Sequence, residues 1–184
     1  GVSNFIPLEP QLDLMKKVLP ELKNLGFLYN PGEANSRILI RKLEALMPKY
    51  GMTLILQAIT KTADIPQATQ KLLGKSDAIF VSNDNTVLSA ISNVIQLATE
   101  ARKPVFVSET DVVVQGALAA LGPNQYQLGL QTGRMVVRIL QGENIAEQKV
   151  EFPDDQEMYL NLETAAKIGL NIAPDLVKQA TKVY

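Results

Sequence analysis

Three short apolar runs in this chain each stop at a polar cluster, and each cluster leads into a helical pattern. Residues 25–29 give way to NPGEANS at 30–36, residues 78–81 to SNDNT at 82–86, and residues 105–107 to SETD at 108–111. Short buried strands alternating with amphipathic helices cover their apolar faces best as an open parallel sheet with helices packed on it. In such a sheet the carboxyl ends of the strands share one edge. Clusters far apart in sequence therefore converge on one polar rim, where folds of this kind bind small ligands.

The rest of the chain keeps the same rhythm. Apolar spacing predicts helices over 8–19, 33–47, 64–73, 85–100, 125–140, 162–168 and 174–179. The second is expected to stop near Pro48, and Asp64 is the expected N-cap of the third. Strands are predicted over 24–29, 52–57, 77–81, 104–107, 116–121 and 157–160. The fold class is α/β, a parallel sheet flanked by helices. Residues 144–156 are the least regular part and read as a surface crossing. On the 125–140 helix, Leu128, Met135, Val136, Ile139 and Leu140 form an apolar stripe that needs a cover.

Composition narrows the function. A hydrophobic share of 46% is that of a globular domain, which excludes wholesale disorder. Eighteen Lys+Arg against nineteen Asp+Glu leave a net charge of −1, a balance that invites neither nucleic acid nor an anionic membrane. The chain has no Cys and no His, so it lacks thiolate chemistry, the commonest metal ligand and the commonest general base. Neither a Gly-rich phosphate loop nor a nucleophile elbow follows any strand. The adjacent pair Asp154 and Asp155 lacks calcium-loop spacing and reads as a solvated loop. An enzyme, a cofactor and a metal are accordingly not expected. A phosphoacceptor receiver domain is disfavoured as well, because the end of the first strand, Tyr29-Asn30-Pro31, carries no acid to hold magnesium.

Binding fits the rim better. Asn30, Asn35, Ser36, Asn83, Asn85 and Thr86 offer donors and acceptors at strand ends, while Glu33, Asp84 and Glu109 offer negative charge. Helix N-termini add free N–H groups. Carboxylates beside such N–H groups could hold the two ends of a small zwitterion, although the same residue types are also ordinary helix caps. Tyr29, at a strand end, is a candidate pocket residue; Phe106 is expected in the core. Lys16, Lys17, Lys42 and Lys49 lie opposite apolar stripes and read as solvated faces.

GFLYNPGEANS at 26–36, DAIFVSNDNTV at 77–87 and KPVFVSET at 103–110 resemble the substrate-binding proteins of bacterial ABC importers, in particular the branch that takes tryptophan or other aromatic amino acids. GPNQYQLGLQTG at 122–133, NLETAAKIGL at 161–170 and Ala173-Pro174 carry the resemblance to the end of the chain. It implies a periplasmic-binding-protein type I fold of two lobes, with the solute held between them by hinge closure. On this reading the chain begins at the first crossing between lobes. Residues 1–121 form the main part of the second lobe, 122–150 a crossing and a helix that belongs with the first lobe, and 151–184 the return to the second lobe. The resemblance maps pocket positions onto Asn30, Glu33, Asn35, Ser36, Asn83, Asp84, Asn85 and Glu109. It implies a small-molecule ligand, plausibly an amino acid, a membrane permease as partner, no nucleic acid, and a periplasmic or membrane-anchored extracytoplasmic location. A ligand-sensing effector lobe of a regulator is the alternative. With the other lobe absent, a homodimer is the expected cover for the 125–140 stripe.

Overall fold

The computed structural model describes residues 1–184. Its centre is a seven-stranded sheet in the order β2-β1-β3-β4-β5-β6-β7. Strands β1 (Asn24–Tyr29), β2 (Thr53–Ala58), β3 (Ala78–Val81), β4 (Val105–Val107) and β5 (Ala119–Pro123) are all parallel. Their residues alternate between two cores. Leu25, Phe27, Phe80 and Phe106 face helices α1 (Leu8–Val18) and α2 (Ala34–Tyr50). Leu28, Ile79, Val81, Val105 and Val107 face α3 (Ile65–Leu73), the single turn α4 (Asn85–Leu88) and α5 (Ile91–Glu100). The central strands β1, β3, β4 and β5 bury both faces, which is why their runs read as continuous apolar segments, while the edge strand β2 stays half-exposed. The rings of Phe27 and Phe80 meet at 5.8 Å in the first core, and burial of a side chain of this size contributes about 1.5–3 kcal/mol.

The sheet departs from the parallel expectation at one side. After α6 (Gln125–Leu140) the chain comes back from the opposite end, so β6 (Gln156–Leu160) runs antiparallel to β5. Helices α7 (Leu162–Ile168) and α8 (Pro174–Gln179) then close the first core, and the exposed two-residue β7 (Lys182–Val183) ends the sheet.

Several boundaries also differ from the expected ones. Helix α2 passes through Pro48 to Tyr50 and stops at Gly51, whose φ of 61° suits glycine. Pro48 forfeits a bond to the Glu44 carbonyl, but both residues are exposed and water can serve that carbonyl. The predicted 85–100 helix is broken at Ser89–Ala90. There the Ser89 hydroxyl donates to the Thr86 carbonyl at 2.8 Å, a local bond that competes with the helical ladder. Asp64 makes no capping bond and instead ends a 3-10 turn. Strand β5 starts three residues late because Gly116, at φ 112°, first ends another 3-10 turn.

Helix α6 buries only Gln131 and Met135. Leu128 and Ile139 are half-buried, while Val136, Val137 and Leu140 are exposed, the last at 80%. The predicted stripe is therefore covered on one flank and open on the other.

Gly122 lets β5 approach the end of β4. A Cβ there would collide with the Ser108 carbonyl oxygen and meet Thr110 Cγ2 at 3.2 Å, whereas one at Gly129 on α6 would meet nothing within 4 Å. Gly122→Ala is expected to lower unfolding stability in urea by about 1–3 kcal/mol. Gly129→Ala should raise it by about 0.5–1 kcal/mol through helix propensity. Equal effects of the two would contradict this packing.

Candidate functional site

Strands β1, β3 and β4 are neighbours in register, Phe27 opposite Phe80 and Phe80 opposite Phe106, so their carboxyl ends and the three polar clusters share one edge. There the first two clusters are bolted together by the chain's own carboxylates. Asp84 is fully buried. Its Oδ2 accepts from Asn30 N and Ser36 Oγ, both at 2.7 Å, and its Oδ1 accepts from Val87 N at 3.1 Å. Glu33 reaches across to the start of α4. Its Oε2 accepts from Asn85 N at 3.2 Å, and its Oε1 accepts from Thr86 N and Thr86 Oγ1, each at 3.2 Å. Burial alone would raise the Glu33 pKa. The donated hydrogen bonds of Asn85 and Thr86 outweigh it and hold the carboxyl below its ordinary range. Asn30 Nδ2 donates to Thr86 Oγ1 at 2.9 Å, and Asn35 Nδ2 donates to Asn83 O at 2.8 Å.

This bonding takes up the amide donors at the start of α4 that were expected to be open to a ligand. Asn30, Glu33, Ser36, Asp84, Asn85 and Thr86 all belong to the clamp. Glu109 lies apart from it, half-buried after β4, with its carboxyl pushed up by burial and by the nearby Asp111 charge. Tyr29 packs on Phe27 at 6.4 Å between centroids, and Phe106 is buried in the core.

Beside the clamp, on the α2 face, opens a cavity of about 490 Å³. Its floor is Ser82, Asn83 and Ser108 at the strand ends. One wall is the α2 stripe Asn35, Ile38, Leu39 and Lys42, spaced i, i+3, i+4, i+7 so that all four side chains share a helix face. The opposite wall is residues 3–6 with Gln11 from α1. Gln11 is buried and spans the gap: its Nε2 donates to Ile6 O at 3.2 Å, and its Oε1 accepts from Ser108 Oγ at 2.9 Å. Val150 and the 57%-exposed Phe152 form an apolar rim.

Two extended segments meet at that rim. Val2 bridges Glu151 in parallel, Ser3 N donates to Glu151 O at 2.8 Å, and Glu151 N donates to Gly1 O at 3.0 Å. Helix α6 is tied to the same point, because Gln131 Nε2 donates to Glu151 Oε2 at 3.1 Å and Arg138 pairs with the Glu151 carboxylate.

Of the nine residues expected at the site, Asn35 and Asn83 line the cavity. The sequence reading missed Ser82, Ser108, Gln11, Lys42 and the 3–6 and 150–152 segments. Ser82 and Ser108 stood in the clusters already singled out. Lys42 was read as a solvated helix face, yet its i+7 spacing from Asn35 was the available signal that it shares that residue's side of α2. The cavity suits a small solute with an apolar body and a polar end. Its volume falls in the usual range for such sites, and no acid lines it.

Residues 1–184 match the family model described as ABC transporter substrate binding protein. A tyrosine-binding protein of Clostridioides difficile is 28% identical over 179 residues, 97% of this chain and 52% of its own length. A Streptococcus pneumonia ABC domain solved in complex with L-Trp superposes at TM-score 0.91 with 32% identity. A conserved domain protein from Vibrio cholerae superposes at 0.92 with 37%. Each of these two structures covers all of this chain, which covers 62% of theirs. The chain thus spans about half the length of the curated relatives it matches.

Asp84→Ala strands two backbone N–H groups and the Ser36 hydroxyl in a buried place. Unfolding in urea is expected to show a loss of about 2–4 kcal/mol. A loss under about 0.5 kcal/mol, the range of an ordinary surface change, would mean that the clamp does not hold the rim.

Proposed function

The chain belongs to the ABC transporter substrate-binding protein family, whose members here are binding proteins and not enzymes, and from that premise we propose that it binds an aromatic amino acid in the cavity between α2 and the strand ends. The observation that carries this reading is the cavity itself. Its apolar wall of Phe5, Ile38, Leu39 and Phe152 suits a ring, and its floor of Ser82, Asn83 and Ser108 suits a polar head group. The relatives named for tyrosine and solved with L-Trp point to the same class of solute.

The nine rim residues then divide by task. Asn35 and Asn83 touch the solute. Asn30, Glu33, Ser36, Asp84, Asn85 and Thr86 hold the floor in shape, and Glu109 sits at its margin. The cavity is walled on one side by segments 3–6 and 150–152, which meet at Glu151. These segments serve as the hinge about which a second wall closes on the solute, the closed form being the one a membrane permease recognises outside the cytoplasm. The open flank of α6 is the surface on which the remaining length of such a receptor packs. Self-association of the chain through the same flank, which light scattering would register as a doubled mass, is the competing use of that surface.

Calorimetry on the full-length protein tests the reading. L-tryptophan or L-tyrosine is expected to bind with micromolar or tighter affinity, and Asn83→Ala to weaken binding about tenfold. Failure of every aromatic amino acid to bind, with tight binding of a sugar or an aliphatic amino acid instead, would overturn it.

A further inference from the structure

We propose that Ser82 and Lys42 together read the carboxylate of the bound solute, so that this wall of the site selects for an anionic end rather than for the ammonium. The inference deepens the reading of the cavity as an amino-acid site and rests on it.

Four observations lead to it. First, Ser82 is only 5% exposed and lines the cavity floor, yet its hydroxyl has no hydrogen-bond partner within the chain. It is not sealed off, since the one buried side-chain atom closed from solvent without a partner is Thr69 Oγ1. A hydroxyl so placed is satisfied only by something that enters the cavity.

Second, Lys42 is the sole charged residue of the lining, and the ion pairs of the chain all lie elsewhere. Its Nζ rests 4.4 Å from the centroid of the Phe5 ring. That contact parks the ammonium on the cavity wall without neutralising it.

Third, the neighbouring acids are committed. Asp84 and Glu33 spend their oxygens on Asn30, Ser36, Val87, Asn85 and Thr86, and neither lines the cavity. A solute ammonium finds no carboxylate here.

Fourth, the start of α4 offers no rival anion site, because the N–H groups of Asn85, Thr86 and Val87 already face those two carboxylates. Lys42 lies two helical turns from Asn35, and helical side chains lean toward the N-terminus. From its rest on Phe5 at the cavity wall, the flexible lysine stem lets the ammonium turn to a carboxylate that enters the cavity. The pair supplies a neutral donor and a positive charge, the combination that favours a carboxylate over a carboxamide.

The test is calorimetry on the full-length protein with L-tryptophan, its carboxamide and the deaminated acid indolepropionate. The variants are Ser82→Ala, Lys42→Met and, as a control on the same helix outside the cavity, Lys49→Met. Lys42→Met and Ser82→Ala should each weaken L-tryptophan about tenfold or more, and Lys49→Met should leave it unchanged. Indolepropionate should lose affinity in the same two variants. The carboxamide should bind the wild type more weakly and lose nothing further in Lys42→Met. Lys42 is exposed, so its variant keeps the fold even if Ser82→Ala does not. Unchanged L-tryptophan affinity in Lys42→Met, or equal losses for acid and carboxamide, would overturn the carboxylate assignment while leaving the amino-acid reading intact. A wild type that binds none of the three would overturn both.

Discussion

Asp84 sits at the end of β3 with no exposure to solvent, and a carboxylate left unpaired in such a place would cost several kcal/mol. The chain meets that cost with three donors from three places: Asn30 N from the loop after β1, Ser36 Oγ from the first turn of α2, and Val87 N from α4. The loops after β1 and β3 are thereby fixed to each other. Glu33 repeats the device one layer out, bonding Asn85 and Thr86 across the same seam. The two anions also sit at the positive end of α4, where the helix terminus favours them.

That clamp decides what kind of site the rim becomes. Polar side chains at strand ends are commonly taken as ligand contacts, but most of those here face one another. What the clamp leaves for a solute is its outer surface: Ser82 and Asn83 on the floor, and the Asn35–Lys42 face of α2 as a wall. Apolar side chains from residues 3–6 and 150–152 complete the enclosure, and the backbone pairing of Val2 with Glu151 sets their position. Because Glu151 also receives Gln131 and Arg138 from α6, the rim and that helix are mechanically joined.

Much of this architecture was legible in the residues. The apolar runs at 25–29, 78–81 and 105–107 gave strands that are buried on both faces, and the convergence of their polar ends on one edge followed from strand–helix alternation. The break at Ser89 was not legible, because the apolar spacing of Val87, Ile91, Val94 and Ile95 continues through it and only a side-chain bond interrupts the helix. The antiparallel β6 was hidden for a different reason. Strand direction depends on where α6 delivers the chain, a long-range property that local pattern does not carry. Residue type marked the edge where the three clusters meet but could not say which way each side chain turns. Asp84 and Asn83 are adjacent and equally polar, yet one is bonded into the clamp and the other lines the cavity. Lys42 escaped notice because an exposed lysine on an amphipathic helix is ordinary; only the third dimension brings it to Phe5 and the cavity wall.

The central claim, that the cavity between α2 and the ends of β3 and β4 holds the solute, is tested most directly by a crystal structure of the full-length protein with L-tryptophan or L-tyrosine. The account predicts the ring against Phe5, Ile38, Leu39 and Phe152, with the polar end within hydrogen-bond distance of Ser82 or Asn83. A solute bound elsewhere, with this cavity filled only by solvent, would contradict it.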